Sequence, residues 1–209
     1  MDRTRYPSTI RAPDHSMLKP GVNNKKLGGR VTVGPLRNAV LYSLSLEERR
    51  TCPTACLMWD KCYGNNMPFA HRYDHTSPDF LAKLSAGVAE LCDSYKRVLI
   101  RLHVLGDFYS IDYVRFWGDS LERHPELHLF GYTAHAPDSD IGRTLHQIST
   151  AWGWHRCAIR FSGWGGSRGA VVGRPDVGFT CPEQTGKVKS CAQCGACWNG
   201  EDPVNFKEH

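Results

Sequence analysis

Long apolar runs are missing from these 209 residues, and none approaches the ~18 that a membrane-crossing helix needs. The opening stretch MDRTRYPSTIRAPDH also lacks the apolar core of a secretory signal. Both absences predict a cytoplasmic location with no membrane partner. Walker and dinucleotide fingerprints are missing too, so the glycines between Gly163 and Gly169 form either a phosphate-admitting loop or simply a loop. Acidic charge is scarce at the start: residues 1–50 carry ten Lys or Arg against four Asp or Glu, while the whole chain has net charge +5. No aromatic interleaving or nucleic-acid motif accompanies that surplus. The basic segment is therefore an arm that tracks a phosphate backbone or a solvated tail.

Cysteine is the residue present in excess. Nine of them in a chain without an export signal argue against disulfides, and their clustering favours metal. Hydrophobic content of 41% and charged content of 22% are those of a soluble globular protein, and the length suits one domain with a small appendage. Three regions follow from composition: a basic irregular arm over 1–37, an α/β core over 38–179 and a four-cysteine metal-binding segment over 180–209.

Within the core, strand and helix signals alternate. Asn38 to Leu44 reads as a strand, and Ser77 followed by Pro78 opens a helix carrying Phe80, Leu81, Leu84, Val88 and Leu91 on one face. Val98 to Leu105 is a β-rich run, and Ser110 caps a second helix with Tyr113, Val114, Trp117 and Leu121. Leu127 to Thr133, a helix with Ile141, Leu145, Ile148 and Trp152, and then Cys157 to Ser162 continue the pattern, and AVVGRP adds a last short strand. Such alternation predicts parallel strands with helical crossovers: a partial (β/α) barrel or an open parallel sheet, with ligands at the C-terminal strand ends.

Those strand ends carry the chemistry. Cys52, Cys56 and Cys62 follow the first strand, and three close thiols can hold one metal centre while leaving a position on it open. The same spacing also fits a loop staple whose fourth ligand comes from elsewhere. Asp107, just after Gly106, has a charge suited to an ammonium group or to capping the next helix. His103 shares a face with Arg101 and Leu105 if the strand alternation holds. Near the C-terminus, Cys181, Cys191, Cys194 and Cys197 are spaced C-x9-C-x2-C-x2-C, a four-thiolate set whose tight steps lean toward iron–sulfur over zinc. Cys92 and Cys157 read as small core residues.

The segments CPTAC, CYG, HVLGDF, FGYTA, AIRFS and CPEQTGKVKSCAQCGACW together resemble the bacteriophage and prophage "gene product 88" family, over most of the chain from Asn38 onward. That resemblance implies a phage setting and no particular chemistry. The layout resembles, more distantly, the radical S-adenosylmethionine enzymes, although the spacing here is C-x3-C-x5-C where theirs is C-x3-C-x2-C. By that resemblance Cys52, Cys56 and Cys62 would bind a [4Fe–4S] cluster, and Leu105, Gly106 and Asp107 would hold the amino group of S-adenosylmethionine. The four C-terminal cysteines would bind a second cluster, with Asp107, Tyr132, Arg160 and Ser162 lining the pocket. An electron donor and an unknown substrate, nucleotide or nucleic acid among the options, complete that expectation. The rivals are a zinc-stapled nucleic-acid-binding or regulatory protein and an iron–sulfur carrier or sensor without S-adenosylmethionine.

Overall fold

The computed structural model describes residues 4–208. Its elements are β1 (Ile10–Arg11), β2 (Lys19–Pro20), β3 (Val40–Ser43), α1 (Glu48–Thr51), β4 (Arg72–Tyr73), α2 (Phe80–Ser94), β5 (Val98–Leu102) and α3 (Ile111–Arg123). Then come β6 (Leu127–Thr133), α4 (Asp140–Trp152), β7 (Cys157–Ser162), β8 (Gly169–Val172), β9 (Phe179–Thr180), α5 (Cys191–Cys194), α6 (Ala196–Asn199) and β10 (Val204–Phe206).

Serine caps start the two later long helices. Ser110 accepts the N–H of Tyr113 at 3.1 Å and Ser139 that of Gly142 at 3.0 Å, satisfying amides that the first turn leaves free. The start of α2 differs from expectation. Asp79 stands at its cap position without a side-chain cap, and the hydroxyl of Ser77 instead bonds the Asp79 carboxylate at 2.6 Å.

Eight strands form one sheet in the order β2-β3-β5-β6-β7-β8-β10-β9, parallel throughout except for the antiparallel edge β2. Period-two alternation sorts the side chains onto two faces. On one face Val98, Ile100, Leu102, Leu127, Leu129 and Ile159 pack with α2, α3 and α4 through Leu84, Val88, Val114, Trp117, Leu121 and Leu145. Each such buried aliphatic side chain contributes about 1.5–3 kcal/mol. Strands taken in chain order with all three long helices on one face follow the winding of a barrel. The sheet nevertheless stays open, with β2 and β9 as its two edges, so the partial-barrel alternative gives way to the open sheet.

The opposite face is covered without a long helix. Leu27, Val31 and Leu36 from the N-terminal segment and Ala192 and Trp198 from the C-terminal segment pack on Leu41, Leu99, Phe130 and Ala158. The two segments are joined by backbone bonds, Cys191 N–H to Lys26 O at 2.8 Å and Ala192 N–H to Leu27 O at 2.9 Å. The basic arm is thus a packed layer from Met17 onward, with Met17 and Leu18 in the helical-face core and residues 27–36 on the other. The stretch Val31 to Val33 runs as a loop beside the start of β3, with Val31 N–H bonding Ala39 O at 3.0 Å.

At the far side, β8 pairs only with the last residues of β7, Phe161 with Gly169 and Ser162 with Ala170, and continues past them. β10, which follows the cysteine segment, inserts between β8 and β9. Together they extend the sheet beyond the strand ends where the first cysteine loop lies.

Candidate functional site

The first cysteine loop leaves the sheet through α1, whose C-terminal cap is Cys52. Its frame is a buried ion pair: Arg72, fully buried, bonds the Glu48 carboxylate at 2.7 Å and the carbonyls of Gly64, Ala70 and Met67 at 3.0, 2.8 and 3.3 Å. The loop is also keyed to the end of β5. Gly106 has φ +87, and a Cβ there would lie 2.7 Å from both Leu46 Cβ and Thr51 Oγ1, so only glycine allows this approach. Thr51 Oγ1 in turn accepts the Asp107 N–H at 3.1 Å.

Burial raises the pKa of all three thiols, and at Cys52 the charges of Asp107, Cys56 and Cys62 add to it. Against this, backbone N–H groups two residues on, from Met58 and Gly64, donate to Cys56 and Cys62 and favour their thiolates.

The second group comes from three places: Cys181 just beyond β9, Cys191 and Cys194 on α5 and Cys197 on α6. Burial pushes Cys191 up to about 12, with Cys197 and Cys181 contributing. Cys194 and Cys197 are raised for the same first reason, while the Ala196 N–H donates to Cys194 and the Tyr132 hydroxyl donates to Cys197 Sγ at 2.9 Å. Arg160 lies beneath, with none of its surface exposed. It donates to the carbonyls of Cys197, Gly169, Asp202, Ala196 and Gly200 at 2.6–3.4 Å. Its charge also favours the Cys197 thiolate.

Where one thiol acts on another, both belong to the same group: Cys52, Cys56 and Cys62 on one side, Cys181, Cys191, Cys194 and Cys197 on the other. All nine cysteines are free. Among the described residues, no three His, Cys, Asp or Glu side chains stand close enough together to hold a single metal ion. Cys92 and Cys157 are buried in the helical-face core, as expected from their sequence context.

Asp107 is buried at 2% exposure, and burial raises its pKa. Both oxygens accept backbone N–H groups, Phe108 at 2.7 Å and Ala134 at 2.7 Å, so the carboxylate ties the end of β5 to the end of β6. Leu105 is buried and its carbonyl accepts the Leu46 N–H at 2.9 Å. Ser162 is exposed at the last position of β7. His103 does not share the Arg101 face, because β5 ends at Leu102 and the ring turns to the helices, with Nε2 2.9 Å from Tyr113 Oη.

One residue at this mouth gave only a faint signal in sequence. Arg101 is the single charge in β5, its guanidinium 4.3 Å from the Tyr132 ring centroid and 5.5 Å from that of Phe130. Its charge acts on Cys191 and Cys197. It also acts on Tyr63 of the first loop, whose phenol burial raises to about 12, with the charges of Cys62 and Cys52 adding to the rise. The charge of Arg101 therefore reaches two thiols of the second group and, at the first loop, Tyr63.

Fold and site together define an open-sheet α/β protein with two separate thiol groups near one end of the sheet. The chain belongs to the gene product 88 family, whose family model matches residues 16–147. It is 26% identical over 217 residues to the "Gene 88 protein" of Mycobacterium phage L5, covering 86% of this chain and 90% of that protein, which supports a bacteriophage origin. No solved structure matches it. The family match includes Cys52, Cys56, Cys62 and Arg101 and ends before the four-cysteine segment.

Proposed function

We propose that this protein is an iron–sulfur protein with two cysteine-held centres, of which the three-thiol one at Cys52, Cys56 and Cys62 is reactive and takes S-adenosylmethionine at its open position. The observation that carries the reading is the sorting of seven cysteines into two groups, with the Tyr132 hydroxyl donating to Cys197 Sγ and the backbone at Met58, Gly64 and Ala196 favouring the thiolates of Cys56, Cys62 and Cys194. Donors aimed at sulfur stabilise thiolates, the form that a metal centre requires. Arg160 and Arg101 add positive charge beside the second group, which offsets the negative charge of a thiolate-held cluster.

The thiols reach one another electrostatically without the tight contact that a single ion imposes, and metal binding would draw them together. Held by Cys52, Cys56 and Cys62, a reduced cluster would supply an electron to S-adenosylmethionine. The chain's own part is to frame the loop through Arg72 and Glu48 and to hold the β5 end through Gly106 and Asp107. Because both oxygens of Asp107 are engaged by backbone donors, its role in this reading is to position the loop.

Iron, sulfide and zinc per chain, measured on protein purified without oxygen, test the first half; electron paramagnetic resonance of the reduced sample with and without S-adenosylmethionine tests the second. About eight irons and a spectrum that shifts on addition of the cofactor are expected. Zinc alone would replace the reading with a stapled binding protein, and iron whose spectrum ignores the cofactor with an electron carrier.

A further inference from the structure

Two arginines are fully buried among the described residues, and both are satisfied. Arg72 has the Glu48 carboxylate and Arg160 has five carbonyls. Arg101 differs: its Nη1 is buried without a hydrogen-bond partner, and no carboxylate pairs with it among the described residues. Tyr132 and Phe130 stabilise the face of the guanidinium through its charge, but a ring face gives the N–H edge no acceptor. A buried donor left unmet is expensive, more so when charged, and a native fold keeps few of them without a purpose.

The position adds to the chemistry. Register sets Arg101 beside Ser43 of β3 and Phe130 of β6, one residue from the C-terminal end of β5. In parallel sheets, ligands gather at that end. Tyr132, whose ring Arg101 faces, donates to Cys197 Sγ, so an acceptor on Arg101 would sit beside the second cysteine group. A guanidinium fork matches the paired oxygens of a carboxylate or a phosphate, which no neutral ligand offers equally well.

We propose that Arg101 is the anchor for an oxyanion, carboxylate or phosphate, on a small molecule that enters at the C-terminal end of β5, beside the second cysteine group. This assigns the substrate class of the site proposed above, and its placement beside a cysteine-held centre rests on that reading.

The test titrates inorganic phosphate and, separately, acetate into the full-length metal-loaded protein, followed by calorimetry. Arg101→Met and Arg101→Lys are measured alongside, together with their metal content and thermal melts. Saturable binding of one anion is expected, at least tenfold weaker in R101M and intermediate in R101K, with metal content unchanged. Phosphate preferred over acetate marks a phosphorylated substrate, and the reverse a carboxylic one. Should R101M unfold, R101K with its charge but no fork carries the comparison, and binding equal to wild type would overturn the anchor. Binding of neither anion, or loss of metal in folded R101M, would also overturn it, the latter by assigning the guanidinium to the charge of the centre itself. Failure of the iron–sulfur reading shows separately, as wild-type protein without iron.

Discussion

The hydroxyl of Tyr132 on β6 donates to Sγ of Cys197 on α6 at 2.9 Å. It links the strand-end mouth to the second cysteine group with one hydrogen bond and lowers the pKa of a thiol that burial otherwise raises. Tyr132→Phe removes the donor and leaves the ring, including its contact with Phe206. Cys197 should then hold its proton more tightly, and a metal centre using it should lose about 10–100-fold in affinity. Competition with a chelator measures the effect, and unchanged affinity in Y132F would remove Cys197 from the ligand set.

The buried pair of Arg72 and Glu48 makes a different prediction, on stability. Their side chains are 0% and 2% exposed, so Arg72→Met strands a carboxylate in the interior. The expected loss is about 3–5 kcal/mol, read from urea denaturation, while the double variant with Glu48→Met should recover much of it. Because Arg72 also holds the Gly64, Met67 and Ala70 carbonyls, the single variant should expose the Cys62 thiol to alkylation. Alkylation at the wild-type rate would show that the loop holds its shape without the pair.

Acid should destabilise the protein through His103. Burial, with a smaller contribution from the charge of Arg101, lowers its pKa to about 3, so the folded state keeps the ring neutral against Tyr113. An unfolded histidine titrates near ~6.5, so only the unfolded state takes up this proton between the two values. Above pH ~6.5 the residue has no effect on the pH dependence; from there down to pH 3 stability falls, by up to on the order of 4–5 kcal/mol. Asp107, raised by burial, opposes this at the acid end, so the comparison is with His103→Gln, which keeps Asp107. H103Q should show a shallower loss of stability between pH 6.5 and 4, and parallel curves would show that the ring is already charged when folded.

How much of this was legible depended on whether the signal was local. β6 and β7 span the residues their alternation marks, Leu127–Thr133 and Cys157–Ser162, and the cap at Ser110 is a one-residue feature. The layer opposite the helices was not visible, because it joins residues 27–36 to residues 191–198 from the other end of the chain, and neither segment has the period of a helix or strand. β10 was missed for the same reason: three residues between β8 and β9 acquire strand character only from their neighbours. In the site, cysteine spacing gave both groups, whereas the spent carboxylate of Asp107 and the unmet nitrogen of Arg101 are facts of packing. One hint existed, a lone arginine in the run VLIRL, a charge that a buried strand does not carry without reason.

Two centres rather than one is the last and most discriminating consequence. Electrostatic influence among the thiols stays within each group, and Arg101 acts on Tyr63 beside the first and on Cys191 and Cys197 of the second. Cys62→Ser should therefore empty only the first centre and Cys194→Ser only the second, each removing about half of the bound metal. Cys92→Ser and Cys157→Ser, placed in the helical-face core, should leave the metal count intact at some loss of stability. If instead either ligand variant strips all the metal, the seven cysteines share one centre. The C-terminal segment would then have to leave the face it now covers to reach the loop after β3, giving up the burial of Trp198 against Phe130.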